Sequence, residues 1–281
     1  MKYSIFPLIF SFLISFSTYS QSYSPASGDT SDSPYKTSWL VDGSYLGISL
    51  GLNFVGFKLI QDKEALTLQE LNDLSKDDVP GIDRFIAGNY SKRADEISYY
   101  PFYGSFAVPV VMMIADKNMR SNAGQISVLF LESMATTGAV YTLTAGLIDR
   151  PRPLVYNTSL PDEERTEKGA QRSFIAGHTA ATASASFFAA KIYNDFYPDS
   201  AAKPYVWTAA ALVPAYVGYL RSEAGKHFLT DNIVGYMVGA ASGILIPELH
   251  KKKERDFGVA PAMGVDLRGN EYQGLTLQYS F

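Results

Sequence analysis

The chain has 281 residues, of which 47% are apolar and 19% are charged, and its net charge is −4. This balance gives no reason to expect a nucleic-acid partner, and a sequence without cysteine excludes disulfides and thiol chemistry. The apolar and aromatic content fits a membrane-associated or tightly packed helical protein, while a mean hydropathy near zero leaves a soluble helical domain open.

The N-terminus has the pattern of a secretory signal. An apolar run from Ile5 to Phe16 follows a basic residue and precedes small residues. This pattern predicts a signal peptide over 1–20, cut near Ser20, and hence an exported protein. Residues 21–37 are rich in Ser, Pro, Thr and Asp and predict a flexible lead-in.

Long uncharged runs dominate the rest of the chain and lie at 97–115, 133–148, 173–190, 204–220 and 232–247. Runs of this length are at the lower limit for crossing a bilayer and also suit the helices of a buried bundle. The earlier stretch 39–60 carries Asp42, Asn53 and Lys58, so we expect a packed or interfacial helix there rather than a span.

These runs predict an all-α fold, a helical bundle with about five or six core helices. Residues 21–96 are expected to form the lead-in and peripheral helices, 97–250 the core, and 251–281 a C-terminal tail. In the tail, Leu275, Leu277, Tyr279 and Phe281 alternate with polar residues, and Gly269-Asn270 is a turn signal. We therefore expect a small β-hairpin packed on the bundle.

Charge placement indicates an orientation. If the five runs all cross a membrane, one side collects basic residues, as a cytoplasmic side should: Lys117, Arg120, Lys191, Lys203 and Lys251–Lys253. The polar segments between the runs then face the periplasm, at the inner membrane. With a cleaved signal peptide this holds only if 39–60 does not cross, because a sixth crossing would turn these segments to the cytoplasm. A soluble periplasmic protein is the alternative.

Three of those polar segments carry the chemistry: Arg152-Pro153, then Gly177-His178, then Arg221, His227 and Asp231 in the spacing Arg-x5-His-x3-Asp. Arginines and a glycine amide at a helix N-terminus are the parts of a phosphate site. If a helix starts near Lys226, the last histidine and aspartate share one face, and the carboxylate can orient the imidazole. Each residue taken alone is also explained by a cap, a turn or an ion pair.

The order of these segments resembles the type 2 phosphatidic acid phosphatase family, which includes bacterial class A acid phosphatases and vanadium haloperoxidases. The family pattern is Lys-x6-Arg-Pro, Pro-Ser-Gly-His and Ser-Arg-x5-His-x3-Asp, and it covers about a third of the chain. This sequence departs from it at four positions: Ala145 for the lysine, Ile175 and Ala176 for Pro-Ser, and Leu220 for the serine.

The resemblance implies a metal-independent phosphatase. In it, His227 attacks phosphorus and becomes a phosphohistidine, Asp231 holds its ring, and His178 protonates the leaving oxygen and then activates water. Arg152, Arg221 and the amide of Gly177 bind the phosphate oxygens. Lys226 or Arg150 could replace the missing lysine, and Thr179 or Ser173 could replace the missing serine hydroxyl.

The expected substrates are lipid phosphates or isoprenoid diphosphates, or a small phosphomonoester, with a membrane as the expected partner. The alternative is a weakened family member that binds phosphate or lipid headgroups without efficient turnover, and a haloperoxidase ranks third. No cofactor or metal is expected, since two arginines near His178, His227 and Asp231 would oppose a cation. The remaining histidine, His250, lies beside lysines and is expected to be a solvated helix end.

Overall fold

The computed structural model describes residues 33–252, 257–265 and 271–279. The predicted signal peptide at 1–20 and the predicted turn at Gly269-Asn270 lie outside these residues. The prediction of a helical fold is confirmed: the described residues are mostly helical.

Six long helices form the body of the protein: α1 Trp39–Asp62, α4 Lys92–Ala115, α6 Ala123–Leu147, α8 Gly177–Phe196, α9 Lys203–Glu223 and α10 Leu229–Leu249. Short helices connect them: α2 Leu68–Asp73, α3 Gly81–Arg84, α5 Lys117–Ser121 and α7 Asp162–Arg165, with 3-10 turns at Lys76–Asp78 and Pro153–Tyr156. Two antiparallel strands follow, β1 Phe257–Val265 and β2 Glu271–Tyr279, in a register that pairs Pro261 with Leu275.

Helix α4 begins five residues before the predicted run at 97. Its first turn is polar, and the hydroxyl of Ser91 caps it by accepting a hydrogen bond from the amide of Ala94 at 3.1 Å. This charged first turn has no apolar periodicity, so a hydropathy argument does not find it. It matters for function because it carries Asp95, which reaches the candidate site.

Helices α8 and α10 pack with their backbones in close contact. A Cβ added to Gly235, Gly239 or Gly243 would lie 2.0–2.6 Å from a backbone oxygen of the α8 side. Glycine at every fourth position therefore lets the two backbones touch along one stripe. The contact starts at the first turns of both helices, where the amide of Ala176 donates to the oxygen of Asp231 at 3.1 Å.

The polar motifs collect at one end of the bundle. The N-terminal ends of α4, α8 and α10 meet the C-terminal ends of α6 and α9 there, and Lys63, just after α1, donates to the oxygens of Ala145 and Ile148 at 2.9 and 2.6 Å. The opposite end holds a second charged group, in which Lys191 of α8 pairs with Glu248 of α10 at 2.6 Å.

Four helices, α1, α4, α6 and α10, are long and apolar enough to cross a membrane. The set differs from the expectation at two points. Helix α1 is included although 39–60 was predicted not to span. Helices α8 and α9, which were expected to cross, are not apolar enough to be included. Large apolar side chains of α1 such as Trp39, Ile48 and Phe54 are well exposed, which suits contact with lipid.

Candidate active site

His227 lies in the short connection between α9 and α10 and is almost fully buried. Its Nδ1 atom is 2.6 Å from the backbone oxygen of Ser173. Because a carbonyl oxygen can only accept a hydrogen bond, Nδ1 carries the proton and Nε2 keeps its lone pair. The ring is therefore held in the tautomer that a nucleophilic imidazole needs.

Gly225 makes the turn that positions this histidine. Its φ is +69°, and a Cβ here would lie 2.0 Å from the backbone oxygen of Asn89, so a side chain cannot be accommodated. After the turn, the amides of Lys226 and His227 both approach the oxygen of Arg221, at 3.0 and 3.4 Å. The nucleophile candidate and the arginine of the same motif are thus tied through the backbone.

The predicted pairing of Asp231 with His227 is wrong. Helix α10 begins at Leu229, so His227 precedes the helix and its imidazole is oriented by the Ser173 carbonyl instead. Asp231 is fully buried, and its Oδ2 accepts hydrogen bonds from the Ser173 hydroxyl at 2.6 Å and the Phe228 amide at 2.8 Å. Asp231 therefore acts indirectly: it fixes Ser173, whose backbone oxygen orients the His227 ring.

Arg150 completes this anchor and is not available to bind phosphate. Its guanidinium forms ion pairs with Asp231 and with Asp83 of α3, the latter at 2.7 Å, and donates to the Thr230 hydroxyl at 3.0 Å. The guanidinium also lies over the ring of Phe228, 4.8 Å from its centroid. With both carboxylates satisfied, the network fixes the start of α10.

Three other arginines in this part of the chain have unused hydrogen-bonding capacity. The Nε atoms of Arg152, Arg172 and Arg221 are buried and have no hydrogen-bond partner among the described residues. Burial, with smaller contributions from the charges of Arg221 and Arg172, lowers the pKa of Arg152 to about 10. Such a cluster of unsatisfied donors is matched to a multiply charged oxyanion.

Arg172 is a further cation with a buried Nε atom, in the segment that pairs with the Arg-Pro motif, and the sequence argument did not single it out. The segment around it runs parallel to the Arg-Pro motif: the amide of Arg152 donates to the oxygen of Ala170 at 2.7 Å, and that of Ser173 to the oxygen of Arg150 at 3.0 Å. This pairing places Arg172 opposite Arg150. The available signal was its position, directly before Ser173 in the glycine-histidine segment.

His178 lies in the first turn of α8, against aromatic rings of α4. Its ring centroid is 4.5 Å from that of Phe102 and 5.1 Å from that of Tyr99. Gly177 before it packs on Tyr141, whose ring would lie 2.6 Å from an added Cβ. The helix starts without a capping side chain, so its first amides remain available for an anion.

Both site histidines are neutral at physiological pH. Burial lowers the pKa of His178 to about 3, with further lowering from the charges of Arg221, Arg152 and Lys226. Burial also holds the pKa of His227 well below its usual value, and Arg152 and Arg221 add to that effect. The same two arginines act on both imidazoles, so the structure brings the four predicted side chains into one electrostatic environment.

The remaining predicted substitutes are already engaged. The Thr179 hydroxyl donates to Asn232 Oδ1 at 2.6 Å, and that of Ser173 donates to Asp231. The ammonium of Lys226 lies 3.5 Å from Asp95, which also forms an ion pair with Arg221. Asp95 therefore neutralises part of the positive charge that a phosphate would meet, and the sequence argument did not foresee it.

A comparison with protein families gives one result for this region. Residues 127–255 match the PAP2 superfamily. The matched stretch contains the three arginines, both site histidines and Asp231. This stretch of the chain belongs to the PAP2 superfamily.

Individual PAP2 relatives cover the chain only in part. The lipid A 4'-phosphatase of Porphyromonas gingivalis is 34% identical over 83 residues, which is 30% of this chain and 32% of that protein, so the match spans about a third of the relative's length. Two crystal structures are similar. That of Aquifex aeolicus LpxE is 20% identical and covers 59% of this chain and 92% of its own, with a TM-score of 0.41. That of the transmembrane PAP2-type phosphatidylglycerolphosphate phosphatase of Bacillus subtilis is 18% identical and covers 74% and 98%, with a TM-score of 0.45.

Proposed function

We propose that this PAP2 protein is a phosphatase that hydrolyses a lipid phosphate monoester or isoprenoid diphosphate through a phosphohistidine on His227. The observation that carries the proposal is a buried, neutral imidazole whose Nδ1 donates to the Ser173 carbonyl, beside arginines with unpaired Nε atoms. An imidazole with a free Nε2 is a nucleophile, and guanidiniums stabilise the charge of the phosphoryl group in transit.

The reaction divides into two displacements. In the first, Nε2 of His227 bonds to phosphorus while the bond from phosphorus to the leaving oxygen breaks, and His178 donates a proton to that oxygen. In the second, His178 takes a proton from water, the resulting hydroxyl oxygen bonds to phosphorus, and the bond to Nε2 breaks. Inorganic phosphate leaves, and both imidazoles return to their starting forms.

The proton on His178 depends on the substrate. Burial and the nearby cations lower its pKa to about 3, so an imidazolium is unfavourable beside unneutralised arginines. A dianionic phosphate among Arg152, Arg172 and Arg221 cancels that positive charge and raises the pKa of His178 again. Substrate binding and proton availability are thereby coupled, which favours phosphate esters that arrive as dianions.

A lipid substrate fits the surroundings of the site. Four helices are apolar enough to cross a membrane, and the polar motifs collect at one end of the bundle. The relative from Porphyromonas gingivalis is named as a phosphatase of lipid A. The basic residues at 117, 120, 191 and 203 lie at the other end, which favours a periplasmic orientation for the site on the condition that α1 does not itself cross the membrane.

A weakened enzyme that mainly binds phosphate is the second candidate. Ala145 and Ala176 are both fully buried, so neither position offers an ammonium or hydroxyl group to the phosphate. Loss of one preorganised donor typically costs about 10²–10³ in rate. In this proposal Arg172, with its unpartnered Nε, supplies one replacement charge, which favours the active enzyme over this alternative.

The test is phosphate release by the full chain in detergent, with a lipid phosphate as substrate. We expect release by the parent protein, none by His227→Ala, and normal release by Arg120→Ala, whose side chain is exposed outside the site. Quenching at alkaline pH after rapid mixing should trap a phosphorylated histidine in the parent alone. Undiminished release by His227→Ala contradicts the proposal, and tight phosphate binding without release supports the weakened enzyme.

A further inference from the structure

A second buried polar cluster lies at the end of the bundle opposite the candidate active site. It consists of Asp42 in the first turn of α1, Glu132 in α6 and His250 directly after α10. Helix α10 has 21 residues, so about 30 Å separate this cluster from Asp231 at the other end of that helix. None of the three residues takes part in the proposed reaction.

His250 is not the solvated helix end that its lysine neighbours suggested. Only 18% of its side chain is exposed, and Nδ1 lies 2.8 Å from the backbone oxygen of Ile246. Nδ1 therefore donates to that carbonyl, which leaves Nε2 facing the rest of the cluster. Nε2 is 3.3 Å from Oδ1 of Asp42 and 3.4 Å from Oε2 of Glu132.

The Glu132 carboxylate is buried without a hydrogen-bond donor from the described part of the chain to compensate its charge. Its side chain is 1% exposed, and neither carboxylate oxygen has a hydrogen-bond partner among the described residues. An isolated carboxylate in such surroundings is strongly unfavourable unless a cation or proton compensates it. The nearby lysines do not supply the charge, because Lys191 and Lys251 are paired with Asp195, and Lys191 also with Glu248.

Hydrogen bonds orient Asp42 and His250 in the way that metal ligands are oriented in proteins. Oδ2 of Asp42 accepts a hydrogen bond from the amide of Ser38 at 2.6 Å, which leaves Oδ1 directed toward His250. The Ile246 carbonyl fixes His250 in the same manner. Hydrogen bonds of this kind, made by the atoms that do not ligate, hold histidine and carboxylate ligands in metal sites.

The distances fit a metal ion better than a proton. A zinc ion binds nitrogen and oxygen at about 2.0–2.2 Å, and two ligand atoms at a tetrahedral angle are then about 3.3–3.6 Å apart. The observed separations of 3.3 and 3.4 Å lie in this interval, and one ligand atom from each residue lies within 4.8 Å of the others. An imidazolium bonded to carboxylates would be closer, at about 2.7–2.9 Å.

We propose that Asp42, Glu132 and His250 bind a divalent transition-metal ion, with zinc as the best match, and that the ion joins α1, α6 and α10. Two carboxylates and a neutral imidazole balance the charge of the ion, and water completes a tetrahedral shell. The site is structural and independent of the proposed phosphatase activity.

The test is metal content of the tag-free full chain in detergent, after incubation with zinc sulfate and removal of loosely bound ion. We expect about one zinc ion per chain by plasma mass spectrometry, falling to less than about a tenth in Glu132→Gln and in His250→Gln. Glu248→Gln, in the last turn of the same helix, is the matched control and should retain the ion. His227→Ala should also retain it.

A second readout guards against a variant that fails to fold. Zinc at about a hundredfold excess over its dissociation constant should raise the unfolding temperature of the parent by roughly 5 °C and leave that of His250→Gln unchanged. Size-exclusion profiles identify misfolded variants. Absence of zinc from the parent, or equal zinc in parent and Glu132→Gln, overturns the proposal, and the first result indicates an imidazolium ion pair instead.

Discussion

Replacement of Asp231 by asparagine distinguishes the observed arrangement from the pairing that the motif suggests. In the structure, Asp231 is one step away from the imidazole of His227, whose tautomer is set by the Ser173 carbonyl. Asp231→Asn should therefore mainly weaken the fold. If the carboxylate instead held the ring directly, the main loss would be catalytic.

The magnitude follows from the contacts that change. The substitution removes the charge that pairs with Arg150 and turns an amide NH₂ toward a hydrogen-bond donor in a fully buried position. Arg150 keeps its 2.7 Å ion pair with Asp83, so it is not left without a counterion. We therefore expect the free energy of unfolding to fall by about 2–3 kcal/mol, which is less than the cost of leaving a buried charge without any partner. For a chain of this size that is roughly 5–10 °C in unfolding temperature.

The assay combines thermal unfolding in detergent with phosphate release at a temperature where the variant is folded. Because the imidazole tautomer is unaffected, kcat should fall by no more than about 10², the cost of a modest misplacement. Ser173→Ala, which removes one donor to the same carboxylate, should show a smaller loss of stability in the same direction. A fall in kcat of about 10⁴ with unchanged unfolding temperature, as expected when an orienting carboxylate is lost, would refute the indirect role.

Two further predictions concern charge in the site. Arg172→Ala should lower kcat/KM by about 10²–10³, with partial recovery in Arg172→Lys, whereas Arg120→Ala should not change it; an unchanged rate in Arg172→Ala would exclude this residue from phosphate binding. Stability should fall as pH drops below about 6.5, because both site imidazoles have a lowered folded-state pKa and the unfolded chain binds the extra protons. His178→Gln should reduce the dependence of the unfolding free energy on pH by up to about 1.4 kcal/mol per pH unit. An equal loss of stability between pH 7.5 and pH 5 in variant and parent would contradict the direction of the pKa shift.

Sequence reasoning located most of the candidate site but misjudged how its parts are connected. The order of Arg152, His178, Arg221 and His227 identified the family because a shared reaction restricts these positions. The orientation of His227 was not accessible in this way, since it depends on a backbone oxygen 54 residues earlier in the chain. Backbone carbonyls carry no residue identity, so a motif cannot reveal them.

The helices show a similar division. Their approximate number follows from apolar runs, because burial of a helix requires an apolar face. Their boundaries were less accessible where a polar first turn precedes the run, as at Lys92–Glu96 in α4, and α1 was judged a poor span because it carries charged residues. Those charges have partners, such as Asp42 with the Ser38 amide, that only folding supplies.

The sequence by itself determined a helical fold, a family and a set of cationic and imidazole groups suited to phosphate. The tertiary structure alone decided which groups are free to react. It committed Arg150 to two carboxylates, left Arg172 with an unpaired Nε, and turned His250 from a presumed surface residue into part of a buried cluster. The physical reason is that the residue type determines the charge of a side chain, whereas its partners and its access to water depend on helices that are distant in sequence.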